Sequence, residues 1–152
     1  MNTLELDPGA LTLADLEASY RAPCTIRLAP HAQAGIDAAA ATVARAVASE
    51  QPVYGVNTGF GKLAAVKVEA ADTAKLQRNL ILSHCCGVGT PAAADIVRMM
   101  MLLKLNSLAR GASGVRWAVL ELLAGMLTHE VLPVVPSQGS VGASGDLSLI
   151  HI

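Results

Sequence analysis

Charge is scarce in this chain. Of 152 residues only 15% are Asp, Glu, Lys or Arg, the net charge is −1, and Lys and Arg nowhere cluster. That balance argues against nucleic acid or an anionic membrane as the main partner and leaves small-molecule chemistry or self-association. Cysteine is equally thin: three residues, two of them adjacent at Cys85 and Cys86, make neither a metal-ligand spacing nor a disulfide framework. No metal site is expected, and a reducing cytoplasm is the simplest setting. The opening run Met1-Asn2-Thr3-Leu4-Glu5 lacks the basic stretch and apolar core of a signal peptide. A membrane span is missing too, because the most apolar stretch, 96–105, is short and broken by Arg98 and Lys104. Repeats and low-complexity linkers are absent. Aromatic residues make up 3% of a chain that is 53% hydrophobic, a high apolar content for a free-standing domain of this size. Something is expected to cover the excess.

What is present reads as mainly α: a helical bundle with short extended segments. Thr12 is a good N-cap for a short helix over 13–20, ended at Ala22-Pro23 because the residue before proline avoids the helical region. Thr25-Ile26-Arg27-Leu28 has the alternation of an extended piece. Pro30 can start a long alanine-rich helix to about residue 50, with Ile36, Ala40, Val43 and Val47 at three- and four-residue steps. A glycine-rich loop over 53–62 carries Tyr54. The next helix, 71–86, places Leu76, Leu80 and His84 on one stripe, and Gly87 and Gly89 end it. Thr90-Pro91 then starts a helix over 92–109 that is apolar nearly all round through Met99-Met100-Met101-Leu102-Leu103, which marks it as buried. Gly111 stops that helix. Ser113 caps a last one running to about 131, before Pro133 and Pro136 force an extended approach to a glycine run.

That run is Gly139-Ser140-Val141-Gly142-Ala143-Ser144-Gly145-Asp146. It is neither a phosphate-binding loop, since no lysine follows Gly145, nor a hydrolase elbow, since Gln138 stands where the first glycine belongs before Ser140. A backbone anion nest stays open as a rival. Gly145 has no side chain to shield its amide nitrogen or restrict φ, so that nitrogen can press against the Ala143 carbonyl carbon in a tight loop. Ring closure with loss of one water, and loss of the Ser144 hydroxyl as a second, leaves a methylidene carbon conjugated to an imidazolone. A nucleophilic segment becomes an electrophile.

Two upstream segments make the pattern specific: Tyr54-Gly55-Val56-Asn57-Thr58-Gly59-Phe60-Gly61 and Asn79-Leu80-Ile81-Leu82-Ser83-His84. With the glycine run, in this order and spacing, they resemble the histidine/phenylalanine ammonia-lyase family from about residue 5 to 147. The Ser83-His84 pair is similar to the histidine-specific branch, whereas tyrosine- and phenylalanine-specific relatives usually carry His-Leu or Phe-Leu there. The family's members are several times longer, so the match is to their amino-terminal part: 1–110 to the tyrosine-loop portion, 111–152 to the start of the central helical portion. After Leu147 the family usually continues Ala-Pro-Leu, but this chain reads Ser148-Leu149-Ile150-His151-Ile152 and stops. That departure is read as a truncated, frameshifted or engineered product.

The resemblance implies a non-oxidative elimination of ammonia from L-histidine to give trans-urocanate. It implies a methylidene-imidazolone formed from Ala143-Ser144-Gly145 with no external cofactor, Asp146 assisting its formation. Tyr54 is implied as the general base toward the substrate β-carbon, Ser83 and His84 as contacts to the substrate side chain, and Gly55, Asn57, Thr58, Gly59 and Gly61 as supports of the tyrosine loop. It further implies a homotetramer whose missing helices and partner subunits cover the apolar faces. On the residues alone, Tyr54 reads first as an amphipathic anchor, and His84 reads equally as a helix-end cation. Cys85 and Cys86 read as helix-packing groups, and His31, His129 and His151 as surface or capping residues. The competing expectations are a tyrosine or phenylalanine ammonia-lyase, and a non-catalytic helical module whose tripeptide stays open.

Overall fold

A computed structural model describes residues 2–59, 62, 65–85 and 87–139. The chain begins with β1 (Thr3–Leu6), then α1 (Leu13–Arg21) and β2 (Thr25–Leu28), and the two strands pair in parallel with Leu4 opposite Ile26 and Leu6 opposite Leu28. A parallel pair needs a crossover, and α1 supplies it. Thr12 caps α1 through a full capping box: its Oγ1 accepts from the Asp15 amide at 3.2 Å and the Asp15 carboxylate accepts from the Thr12 amide at 2.9 Å. These Thr12 bonds, side chain first, hold the Asp15 carboxyl below its ordinary value. Ala22, extended before Pro23, stops the helix as expected. The strand β1 was not legible in advance, since Thr3-Leu4-Glu5-Leu6 is only four residues long and lies against a partner more than twenty residues away.

The long alanine-rich helix is α2 (Ala32–Ala48), with Ile36 its buried contact. After the tyrosine loop come α3 (Ala70–His84), β3 (Val88–Pro91), α4 (Ala94–Ala109), α5 (Trp117–Thr128) and β4 (Pro136–Gln138). The core is organised on α4. Its Val97, Met101, Leu105 and Ala109 repeat every four residues on one stripe, and Leu102 fills the turn beside it. They meet Leu6 and Ile26 of the small sheet, Ile36 of α2, Leu120, Ala124 and Leu127 of α5, and Val135. Leu102, Leu105 and Leu120 are wholly removed from solvent. α4 packs against α1 and α5, and α5 also covers β2.

Three expectations are corrected. Thr90-Pro91 does not open α4. Gly89 adopts a left-handed backbone and the segment pairs antiparallel with 136–138, so the helix waits until Ala94. Ser113 does not cap α5, because Gly114 turns the chain through φ +72 and the helix starts only at Trp117 behind an extended Arg116. A Cβ at Gly114 would overlap Val43 Cγ2, so this turn packs directly against α2. Nor is α4 buried all round: Met100 and Leu103 face outward. α3 buries none of its described side chains, and its Ile81 and Leu82 are exposed.

Candidate active site

The tyrosine loop is built on one carboxamide. Asn57 is fully buried, and its Oδ1 accepts from the Val53 amide at 2.6 Å. Its Nδ2 donates to the carbonyls of Ala46 and Gln51, both at 3.0 Å. One side chain thus ties the start of the loop to the last turn of α2, where carbonyls lack helical partners. The backbone closes over it: the Val56 and Asn57 amides donate to the Val53 carbonyl at 3.0 and 3.2 Å. Gly55 sits at φ +76 with open space around it, so glycine serves the backbone here and not a close approach.

The return arm is equally fixed. Thr58 is buried and bridges antiparallel to Lys67. The Val68 amide donates to the Asn57 carbonyl at 2.8 Å and the Gly59 amide to the Val66 carbonyl at 3.1 Å. Lys67 reaches back to Glu50 at 2.8 Å, an ion pair whose carboxylate is almost fully in water and therefore contributes little. On this frame Tyr54 stands at the turn, 65% exposed. A rigid base under an exposed phenol suits a group that must present its oxygen to a small molecule.

Ser83 lies in the last turn of α3, exposed, with Oγ donating to the Leu80 carbonyl at 3.0 Å. His84 closes α3, and its side chain lies outside the described structure, as do Gly61, Ala143, Ser144, Gly145 and Asp146. Tyr54, Gly55, Asn57, Thr58 and Gly59 therefore share one loop, while Ser83 is carried by a separate helix. The link from that helix toward the glycine run is the β3–β4 pair: Val88 lies opposite Gln138, and the Ala92 amide donates to the Val135 carbonyl at 2.8 Å. Val88 comes four positions after His84, and Ala143 five positions after Gln138.

The sequence reading missed an ion pair made by a buried arginine with a partly exposed glutamate. Arg98, 8% exposed, donates to both carboxylate oxygens of Glu130 and through Nη1 to the carbonyls of Ser19 and Tyr20 at 3.1 and 3.3 Å. Its signal was a lone arginine in an apolar helical run, noticed only as a break in a membrane span. Beside it, burial pushes the Cys24 thiol up. Among the described residues no group of His, Cys, Asp and Glu is placed to hold a metal ion, and no helix is long and apolar enough to cross a membrane.

A parallel βαβ unit, a helix α4 at the centre of the core and a glycine-rich tyrosine loop define the class. The family model for aromatic amino acid lyases matches residues 11–151, and the chain belongs to that family. Among individual proteins, the histidine ammonia-lyase of Roseobacter denitrificans is 61% identical over 151 residues, which is 99% of this chain. The chain spans 29% of that relative's length. Among solved structures, histidine ammonia-lyase from Trypanosoma cruzi superposes with a TM-score of 0.79 at 35% identity, over 95% of this chain and 28% of that one. Tyrosine aminomutase from Streptomyces globisporus gives 0.84 at 30% identity, over 91% and 26%. The mainly α fold with short strands is the fold that the resemblance implied.

Proposed function

We propose that this chain is part of a histidine ammonia-lyase that eliminates ammonia from L-histidine to give trans-urocanate, a step of histidine breakdown. The observation that carries the reading is the 61% identity to a histidine ammonia-lyase across nearly the whole chain. Supporting it on the side of substrate choice is Ser83-His84, a pair able to exchange hydrogen bonds with an imidazole that a phenyl ring cannot return.

The prosthetic group of this reading is a methylidene-imidazolone made from Ala143, Ser144 and Gly145, which lie outside the described residues. Their chemistry fits it: a glycine amide without a Cβ to close the ring and a serine hydroxyl to leave as water. When formed, it supplies an electrophile that makes the substrate's amine a better leaving group. The remaining work falls to side chains of this chain. Tyr54 takes the β-proton, and Asn57, Thr58 and the glycines Gly55, Gly59 and Gly61 hold its loop. Ser83 and His84 bind the substrate side chain, and Asp146 moves protons during ring formation. Residues 1–110 and 111–152 are portions of a larger helical lyase, a cytoplasmic homotetramer in which further helices cover the exposed apolar faces of α3 and α4. Its partner is the small amino acid alone, with neither nucleic acid nor membrane involved.

The test is turnover of L-histidine, L-tyrosine and L-phenylalanine by the complete protein, read as ammonia release and as the absorbance of the unsaturated acid. Urocanate from L-histidine, with the other two at least tenfold slower in kcat/KM, is expected on the order of discrimination that a hydrogen-bonded side-chain site gives. Equal or faster release from L-tyrosine or L-phenylalanine would reassign the substrate.

A further inference from the structure

Gly89 is the second residue of β3, five positions after His84, and sits at φ +94. A Cβ built there would stand 2.8 Å from Ser137 Oγ and 3.4 Å from Gln138 Cγ, closer than real Cβ atoms come to the first of these. Both contacts belong to β4, the strand that leads through Gly139 to the tripeptide 143–145. The β3–β4 pairing is short and its register shifts between Val88 and Pro91, so backbone ladder bonds alone fix it weakly. A side chain at 89 would push the Ser137 hydroxyl from its present position, while Gln138 lies at ordinary contact distance.

We propose that Gly89 is a positioning residue of the elimination: its bare, left-handed backbone sets the spacing between the substrate-binding end of α3 and the strand that delivers the ring-forming tripeptide. The inference rests on the reading of this chain as a histidine ammonia-lyase. Of the two requirements at position 89, the φ of +94 concerns local strain, while the contact with Ser137 concerns the distance between two catalytic segments. Only the second is coupled to turnover, and enlarging Ser137 tests it without touching the glycine. A misplacement of about 1 Å between reacting groups lowers a rate by about 100-fold, whereas a merely structural residue changes stability and leaves kcat of the folded fraction alone.

The experiment uses the complete protein and three variants, Gly89→Ala, Ser137→Val and the control Ser137→Ala, with thermal midpoint, mass loss of two waters at 143–145, kcat and KM measured for each. The parent is read first: without ammonia release and without the mass loss, the lyase reading itself fails and this inference with it. Given an active parent, Gly89→Ala and Ser137→Val are expected to lose about 10- to 100-fold in kcat with KM within about threefold, while Ser137→Ala keeps the parent kcat. Should Gly89→Ala fail to fold, Ser137→Val alone decides. Parent kcat in folded Gly89→Ala, or in Ser137→Val, overturns the inference and leaves the lyase reading intact.

Discussion

Arg98 and Glu130 face each other in a two-point pair, Nε–H to Oε1 at 2.8 Å and Nη2–H to Oε2 at 2.7 Å. Through Nη1 the same guanidinium reaches the last turn of α1, so one side chain joins α1, α4 and the turn that follows α5. Glu130 occupies a left-handed backbone, φ 54, rare for a residue with a side chain. The pair holds that turn in place, and from it the chain runs to Val135 and β4. The fold thereby fixes the approach to the glycine run at two points, the Arg98–Glu130 clamp and the β3–β4 pairing.

Removing Glu130 leaves the buried Arg98 guanidinium without its carboxylate, while Glu130 itself keeps a third of its side chain in water. Glu130→Ala is expected to cost about 2 kcal/mol, and the double change Arg98→Met with Glu130→Ala to recover most of it, because an apolar side chain at 98 dispenses with the desolvated charge. Denaturant midpoints of the single and double variants check this. A double variant no more stable than Glu130→Ala would mean that the guanidinium's bonds to Ser19 and Tyr20 dominate instead.

The same pair predicts a pH dependence. The Arg98 hydrogen bonds hold the Glu130 carboxyl below its ordinary value, so the unfolded chain binds that proton more tightly than the folded one. Its stabilisation is complete above the ordinary glutamate value of about 4.3 and is lost as pH falls through the lower folded value. The stability gap between parent and Glu130→Gln is expected to be constant from pH 7 to about 5 and to shrink in more acidic solution. A gap that widens on acidification would contradict the pairing.

Asn57 carries the tyrosine loop through three hydrogen bonds made in full burial. Asn57→Ala leaves the Val53 amide and two carbonyls without that partner and is expected to cost about 2 to 3 kcal/mol. Asn57→Asp is expected to be worse, since a carboxylate oxygen would then face the carbonyls of Ala46 and Gln51. Thermal melts rank the three proteins, and limited proteolysis between 50 and 60 reports whether the loss is local to the loop.

The sequence was most informative where local rules suffice. Thr12 marks the start of α1, and Ala22 before Pro23 marks its end. The apolar run Met99-Met100-Met101-Leu102-Leu103 marks α4, though not where it begins. What stayed hidden depends on partners distant in sequence. β1 needs β2, the outward Met100 and Leu103 are set by which neighbours α4 happens to meet, and Arg98 finds Glu130 thirty-two residues away. At the candidate site, the resemblance carried by three motifs, and not the residue types by themselves, pointed to Tyr54 and Ser83. The carboxamide geometry that makes Asn57 the fastening of the loop, and the contact that makes Gly89 necessary, follow only from the folded chain.

The capping box offers a separate check on α1. Thr12→Ala removes the acceptor for the Asp15 amide and is expected to cost about 1 kcal/mol. Thr12→Ser should restore nearly all of it, and equilibrium unfolding in urea distinguishes the two.

Turnover should stop in Ser144→Ala of the complete protein while its fold and thermal midpoint remain, since the change removes the hydroxyl lost as water and little volume. Ammonia release from L-histidine, measured beside circular dichroism, separates a lost electrophile from a lost structure.

Condensation of residues 143–145 into an electrophilic ring is decided by intact-mass analysis of the complete protein followed by peptide mapping. The expected mass is lower by two water molecules, with the whole deficit in the peptide containing Ala143, Ser144 and Gly145. A full-mass protein, with an unmodified serine in that peptide, contradicts it.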